Sequence, residues 1–313
     1  MRQLYKIRNQ RVVQAEAEDD ATIEFYVGLT EEERRHLVAG EGIDNHTINS
    51  ALDPDELSRI EFDDAFTTFI VKKPRTYTVD RASDSSEANY DFRVSSMGIF
   101  LFDSKVIVVS DWEVPLLTDR RFSRLASLKA FVLQMLGYCI YHFMDHLRII
   151  SQISNELEAK ISLSMENKYL LFMFALSKGL VYYQDAINTN GMLLRRMANS
   201  QRLGLGEAES ELLEDITIDN QQCYRSTEIY ASIVSNMMDA RASIVNNNLN
   251  SLMKTLNIIT IGIMVPTFVV SAFSMNVDLP FDLKNNSWAF WMILGLAAVS
   301  LGLFSVYWKR RKW

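Results

Sequence analysis

Cysteine is nearly absent: Cys139 and Cys223 are the only two in 313 residues, and they stand too far apart for metal-ligand spacing. That excludes a disulfide framework and a paired-thiol centre, and it fits a reducing compartment. Glycine and proline are scarce as well, at 12 and 5 residues. No Gly-rich phosphate loop, nucleophile elbow or paired-cysteine motif is present, so nothing in the chain points to an enzyme. His142 and His146 lie one helical turn apart, but Phe143 stands where a zinc hydrolase carries its glutamate, and the pair reads as structural or solvated. Positive charge is also in deficit. With 32 Lys and Arg against 39 Asp and Glu the net charge is −7, the wrong sign for a nucleic-acid footprint.

The acidity is uneven: residues up to Met253 sum to −11 and those from Lys254 onward to +4. An acidic body of this kind is compatible with attracting cations. Charge is missing altogether from two apolar runs, Thr255 to Val277 and Trp288 to Trp308. Each is long enough to cross a hydrocarbon core of ~30 Å as a helix, which takes ~20 residues. The mean hydropathy of the whole chain is only −0.02, so most of it is a soluble body attached to a small membrane part. Met1 to Arg8 carries charges where a signal peptide needs an apolar core, which keeps the body in the cytoplasm. Lys309-Arg310-Arg311-Lys312 marks the end of the second run as cytoplasmic too. The expectation is a multi-pass protein of the cell (inner or plasma) membrane with both termini cytoplasmic. Trp288, Trp291, Tyr307 and Trp308 serve as anchors at the lipid interface.

The overall class expected is α+β. Up to about Pro115, Phe66 to Val71, Met97 to Phe102 and Val106 to Val109 read as strands, rich in β-branched and aromatic residues. Thr30-Glu31-Glu32-Glu33 has the capping-box spacing and predicts a helix start, whereas the polar segment Tyr77 to Tyr90 reads as a loop. Beyond Asp119 the spacing predicts helices over Leu125 to Ile161 and Glu166 to Ala198, with a break at Gly204-Leu205-Gly206. Glu207 to Ile261 holds neither Gly nor Pro, so one helix on the order of 80 Å long runs from the soluble body into the first span. The division that follows is a cytoplasmic α/β domain (1–115), a helical region and stalk (116–253), a first span (254–276), an outer loop (277–287), a second span (288–308) and a basic tail (309–313).

On a helix, Met253, Asn257, Thr260, Met264, Thr267, Ser271 and Ser274 follow alternating steps of four and three and so share one face, which Asn246 and Asn250 extend. Hydrocarbon offers such side chains no hydrogen-bond partner, so they face protein or water. As single residues they are as well explained as glue between helices; as a continuous stripe they predict a wet pore. A two-helix hairpin cannot enclose water, so a pore needs several copies of the chain around an axis. Asn276 then stands at the outer mouth, where amide oxygens suit a hydrated Mg²⁺ that parts reluctantly with its water. Asp278 and Asp282 in the outer loop raise the local cation concentration, and Met253, Leu256 and Met264 narrow the path.

The residues Met253-Lys254-Thr255-Leu256-Asn257-Ile258-Ile259, Pro266-Thr267-Phe268 and Phe273-Ser274-Met275-Asn276 resemble, in that order, the start, middle and signature of the first span in the CorA family of magnesium transporters. Ile233 to Asp239 is similar to the family's stalk, and the match covers roughly the last hundred residues. The resemblance implies a homopentamer in a lipid bilayer that moves hydrated Mg²⁺ passively, with Ser274, Met275 and Asn276 as selectivity filter and Asn250, Met253, Leu256 and Met264 lining the pore. It also places Asp215 where the family has a regulatory Mg²⁺ ligand between subunits, with Asp80, Asp84 and Asp91 as candidate partners from a neighbour. Two departures stand out: Ser274 replaces the signature glycine and Asn257 a threonine. They leave Co²⁺, Ni²⁺ or Zn²⁺ open as cargo, and a membrane-anchored, non-conducting scaffold or sensor is the alternative from another class.

Overall fold

The computed structural model describes residues 1–75, 78–81, 88–163, 168–275 and 288–310. Two compact units emerge, Met1–Asp239 and Ala240–Trp313.

The first unit is built on a seven-stranded sheet in the order β2-β1-β3-β9-β8-β5-β4. Its strands are β1 (Arg2–Arg8), β2 (Arg11–Gln14), β3 (Ile23–Val27), β4 (Arg59–Phe62), β5 (Phe66–Pro74), β8 (Val94–Phe102) and β9 (Val106–Ser110). β3 and β9 pair in parallel, and the other neighbours are antiparallel. Helices cover both faces, which is why β9 is buried along its whole length and reads Val-Ile-Val-Val-Ser rather than alternating with polar residues. The period of two still sorts the side chains. Ile70, Phe100, Ile107 and Val109 cluster with Leu37 of α1 (Glu31–Gly40), Ile48 and Ala51 of α2 (Asn45–Leu52), and Ile43 between the two helices. Phe69, Val71, Ile99, Val106 and Val108 face the larger core on the opposite side, built with α3 (Leu128–Leu163), α4 (Lys168–Ala198) and the first part of α5 (Glu207–Phe273). Gly98 lets α2 lie close to the sheet, since a Cβ there would stand 2.5 Å from that of Ala51.

Local signals account for the element ends. Thr30 Oγ1 accepts from the Glu33 amide at 3.3 Å and the Glu33 carboxylate accepts from the Thr30 amide at 2.9 Å, which closes the predicted capping box. α3 begins after Ser127, whose hydroxyl accepts from the Ala130 amide at 3.0 Å, three residues later than the apolar spacing alone suggests. Gly204, at φ 52°, turns the chain toward α5. That helix runs 67 residues without a break and continues through Pro266. In the first unit its Leu213, Ile216, Asn220, Cys223, Thr227 and Val234 are buried at heptad spacing, and Asn220 Nδ2 donates to the Ile187 carbonyl of α4 at 3.1 Å.

Within the segment expected as a loop, Tyr77 to Tyr90, residues 78–81 and 88–90 are strand instead, while Tyr77 and residues 82–87 lie outside the described residues. β6 (Thr78–Arg81) and β7 (Ala88–Asp91) form a two-stranded antiparallel ladder in register Thr78↔Asp91 and Asp80↔Asn89. Polar composition misled here because Thr78 and Val79 are β-branched, and pairing in a ribbon does not require a buried face.

Three buried polar groups tie the layers together. Asn190 of α4 accepts from the Lys72 amide at 2.9 Å and donates to the Lys72 carbonyl at 2.8 Å, as a neighbouring strand would. Lys73, fully buried, donates from Nζ to Ser110 Oγ at 2.6 Å and sits 3.6 Å from the centroid of the Trp112 ring; burial lowers its pKa to about 7. His146 Nδ1 hydrogen-bonds the Tyr183 hydroxyl at 2.6 Å, and the His142 ring stands edge-on at 4.7 Å. Burial lowers the pKa of His146 to about 3, so the histidine pair of the sequence is a neutral packing element.

Candidate functional site

The second unit holds the end of α5 and α6 (Trp288–Arg310), two helices long and apolar enough to cross a membrane. Burial separates two faces of α5. Ile258, Gly262, Val265, Val269 and Phe273 are half-buried, and Gly262 faces Phe304 of α6, with a Cβ position 3.9 Å from that ring. A Cβ at that position would make ordinary van der Waals contact with the ring, so the two helices meet here without requiring glycine. On α6 the covered residues Ala289, Ile293, Ala297, Ser300, Phe304 and Trp308 recur at helical spacing. Asn246, Asn250, Met253, Asn257, Thr260, Met264, Thr267 and Ser271 lie on a different face of α5, and every one is exposed. Leu256 is exposed beside them. Pro266, Thr267, Val270, Ser271 and Ser274 line a shallow groove of about 470 Å³ on this helix.

The hydroxyls on the stripe are oriented by their own helix. Thr260 Oγ1 donates to the Leu256 carbonyl at 2.8 Å and Thr267 Oγ1 to the Ile263 carbonyl at 2.7 Å; Ser274 Oγ donates to the Ser271 carbonyl at 2.9 Å. These three hydroxyl hydrogens are thereby used, and what remains on those oxygens is acceptor capacity. Such a surface accepts hydrogen bonds from water and carries no formal charge. Pro266 has no amide hydrogen, so it withholds the bond that the Gly262 carbonyl would otherwise accept. α5 ends at Phe273, where the last carbonyls and the negative end of the helix dipole meet Ser274 and Met275. Both are exposed. Ser274 does not adopt a positive φ, so serine in place of glycine costs no backbone strain here.

Asn276, Asp278 and Asp282 fall outside the described residues, as does Asp84. Asp215 is exposed on α5, while Asp80 and Asp91 occupy β6 and β7 opposite Asn89 and Thr78. Among the described residues, no group of three or more His, Cys, Asp or Glu side chains could hold a metal ion. Sequence reasoning did not find the face of α6 that meets α5. Its sign was there in the small residues Ala289, Ala297 and Ser300 at helical spacing within an otherwise bulky run.

Residues 26–310 match the family model described as CorA-like Mg²⁺ transporter protein. The chain belongs to this CorA-like family. Its members are transporters or channels rather than enzymes, and they are membrane proteins, which the two apolar helices fit. The chain is 24% identical over 284 residues to the cobalt/magnesium transport protein CorA of Methanocaldococcus jannaschii, covering 87% of this chain and 84% of that protein. It is 26% identical over 122 residues, 38% of either chain, to the magnesium transport protein CorA of Wolinella succinogenes. The complete structure of the Methanocaldococcus jannaschii CorA magnesium transporter superposes with a TM-score of 0.82 at 20% identity, covering 100% of this chain and 98% of that one. A soluble α/β body with long helices is therefore the CorA-like fold, in a family of divalent cation transporters.

Proposed function

We propose that several copies of this chain, five by resemblance to the family, arrange α5 around a common axis and conduct hydrated Mg²⁺ passively through the bilayer. Residues 1–253 form the cytoplasmic body and stalk, 254–276 the pore-lining span, 277–287 the outer loop, 288–308 the second span and 309–313 the cytoplasmic tail. The observation that carries the reading is the uncharged acceptor stripe on α5, exposed on a face other than the one that meets Phe304. A hydrated cation turns water hydrogens outward, so side chains with outward lone pairs can hold it without stripping it. Neutral oxygens hold it weakly enough for release. Asn250, Met253, Leu256, Asn257, Thr260, Met264, Thr267 and Ser271 line the path in this reading, and Ser274, Met275 and Asn276 select at its outer mouth. Asp278 and Asp282 draw cations toward that mouth.

Gating by cytoplasmic Mg²⁺ belongs to the same reading, supported by the resemblance at Asp215 and by the exposed position of that residue. Cytoplasmic Mg²⁺ held between Asp215 and an acid of a neighbouring copy, from Asp80, Asp84 or Asp91, favours a closed arrangement in which Met253, Leu256 and Met264 form a dry constriction. A second cargo is favoured by one observation: the relative that matches most of the chain is named a cobalt/magnesium transport protein. The Ser274 hydroxyl beside the path gives Co²⁺ a further oxygen to meet.

The test is flux of Mg²⁺, Co²⁺, Ni²⁺ and Zn²⁺ into liposomes holding the purified chain. Mg²⁺ uptake driven by its gradient is expected, with Asn276→Ala abolishing or broadening it while the oligomer persists. No flux of any of the four ions would leave a membrane-anchored scaffold as the better reading. Asp215→Ala is expected to relieve inhibition by internal Mg²⁺; unchanged inhibition would refute its regulatory role.

A further inference from the structure

An arginine cluster breaks the acidity of the first unit at the free edge of its sheet. Asn9 and Gln10, at φ 51° and 63°, make the two-residue turn that joins β1 to β2. That turn sets Arg8 directly opposite Arg11 across the ladder. Like charges in such a pair repel, so the arrangement costs stability unless an anion compensates it. The Gln10 carbonyl accepts from the Leu125 amide at 2.7 Å, which pins the tight turn at Arg120 to Ser123 against the same hairpin.

Arg11, Arg120 and Arg124 thereby line one concavity of about 610 Å³. Its one carboxylate, Asp119, is already engaged by Arg121 at 3.1 Å. Among the described residues, Arg8, Arg11, Arg120 and Arg124 make no ion pair and no side-chain hydrogen bond, and all four are exposed. The floor is apolar, with Val12, Leu116 and Phe122 buried beneath and Leu117 exposed at the rim.

We infer that this concavity is a binding site for a compact polyphosphate anion, of the class of inorganic tripolyphosphate or a nucleoside triphosphate. Guanidinium forks match phosphate oxygens two at a time, and three of them converging suit several phosphates in a row better than one carboxylate. The field of the body argues in the same direction. Residues up to Met253 carry a net −11, which opposes the approach of any extended acidic surface, whether nucleic acid, acidic protein or anionic membrane. A small anion escapes that repulsion, because charges beyond about 8 Å are screened at physiological salt. The exposed Leu117 offers a base an apolar surface, which would distinguish a nucleotide from bare tripolyphosphate.

The test uses the full-length chain in detergent, titrated calorimetrically with tripolyphosphate, ATP, AMP and orthophosphate at physiological ionic strength. Saturable binding of tripolyphosphate and ATP is expected, with AMP and orthophosphate at least tenfold weaker. Tighter binding of ATP identifies a nucleotide site, and equal binding a polyphosphate site. Arg124→Gln is expected to weaken binding about tenfold, the weight of one charge-assisted hydrogen bond, and Arg11→Gln with Arg120→Gln and Arg124→Gln to abolish it. Arg148→Gln, which loses an exposed pair with Asp145, should leave it unchanged. All of these side chains are exposed, so the circular dichroism spectrum of each variant should match the parent and separate lost binding from lost fold. No saturable binding of either polyphosphate, an unaltered affinity in the triple variant, or equal competition by polyglutamate would overturn the inference.

Discussion

Replacing Lys73 by methionine should stabilise the first unit and remove a pH dependence. Lys73 is fully buried, and burial lowers its pKa from the ordinary 10.5 to about 7. Each pKa unit is worth about 1.4 kcal/mol, so the drop corresponds to roughly 5 kcal/mol. The folded chain favours the neutral amine, and between pH 10.5 and about 7 it therefore binds fewer protons here than the unfolded chain does. The Lys73 contribution is most favourable above pH 10.5, is lost as the pH falls through that window, and is constant below about 7. Between pH 9 and pH 7 the wild-type protein should lose about 2 kcal/mol of stability from this group alone.

Methionine keeps the unbranched stem without the charge. It forfeits the bond to Ser110 and the contact with Trp112, together worth about 2–3 kcal/mol. Ser110 Oγ retains the Trp112 amide at 3.4 Å as a donor. A net gain of about 2 kcal/mol at pH 7 remains, with a flat profile from pH 7 to 9. Denaturant unfolding of the full-length protein in detergent, followed at both pH values, measures the difference. A variant that keeps the wild-type slope between pH 7 and 9 would refute the assignment of that slope to Lys73.

Acid should act through a different residue. His146 is held neutral with its pKa lowered to about 3, so its contribution is intact above pH 6.5 and is lost as the pH falls toward 3, amounting to about 2 kcal/mol at pH 5. His146→Phe should flatten that acid limb at a cost of about 1 kcal/mol at neutral pH from the lost Tyr183 bond, and an unchanged acid midpoint would count against it. Thr260→Val with Thr267→Val removes two of the outward acceptors and should reduce divalent flux in liposomes by about tenfold with the oligomer intact; full flux would show that these hydroxyls do not face the cargo. Gly98→Val drives a side chain into Ala51, 2.5 Å away, and should cost about 3 kcal/mol in thermal unfolding, partly recovered by adding Ala51→Gly. Absence of any recovery would place the strain elsewhere.

The start of α1, the long helices and the strands β5, β8 and β9 were legible because their causes are local. The Thr30 capping box, the β-branched runs of β5, β8 and β9, the helical spacing beyond Asp119 and the lack of breakers from Glu207 all act within a few residues of sequence. The parallel pairing of β3 with β9 was not legible, since it joins Ile23 to Val106 and depends on both faces being covered. β6 and β7 escaped for the opposite reason, as their polar sequence carries no imprint of a core. On the candidate site the stripe of α5 was readable from spacing alone. The direction of its hydroxyl hydrogens was not, because Thr260 and Thr267 could equally have donated outward. Lys73 and the arginines at residues 8, 11, 120 and 124 gave no signal in isolation; their surroundings come from segments far apart in the chain.

Amides, hydroxyls and thioethers make up the α5 stripe from Asn246 to Ser274, and none of them gains or loses a proton in water at any pH a cell tolerates. A conduit with such walls has a fixed electrical character: acidification neither recharges it nor alters its preference among ions. In the proposed arrangement, any sensitivity to acid must then come from titratable groups outside the stripe, the carboxylates among them, and not from the walls themselves.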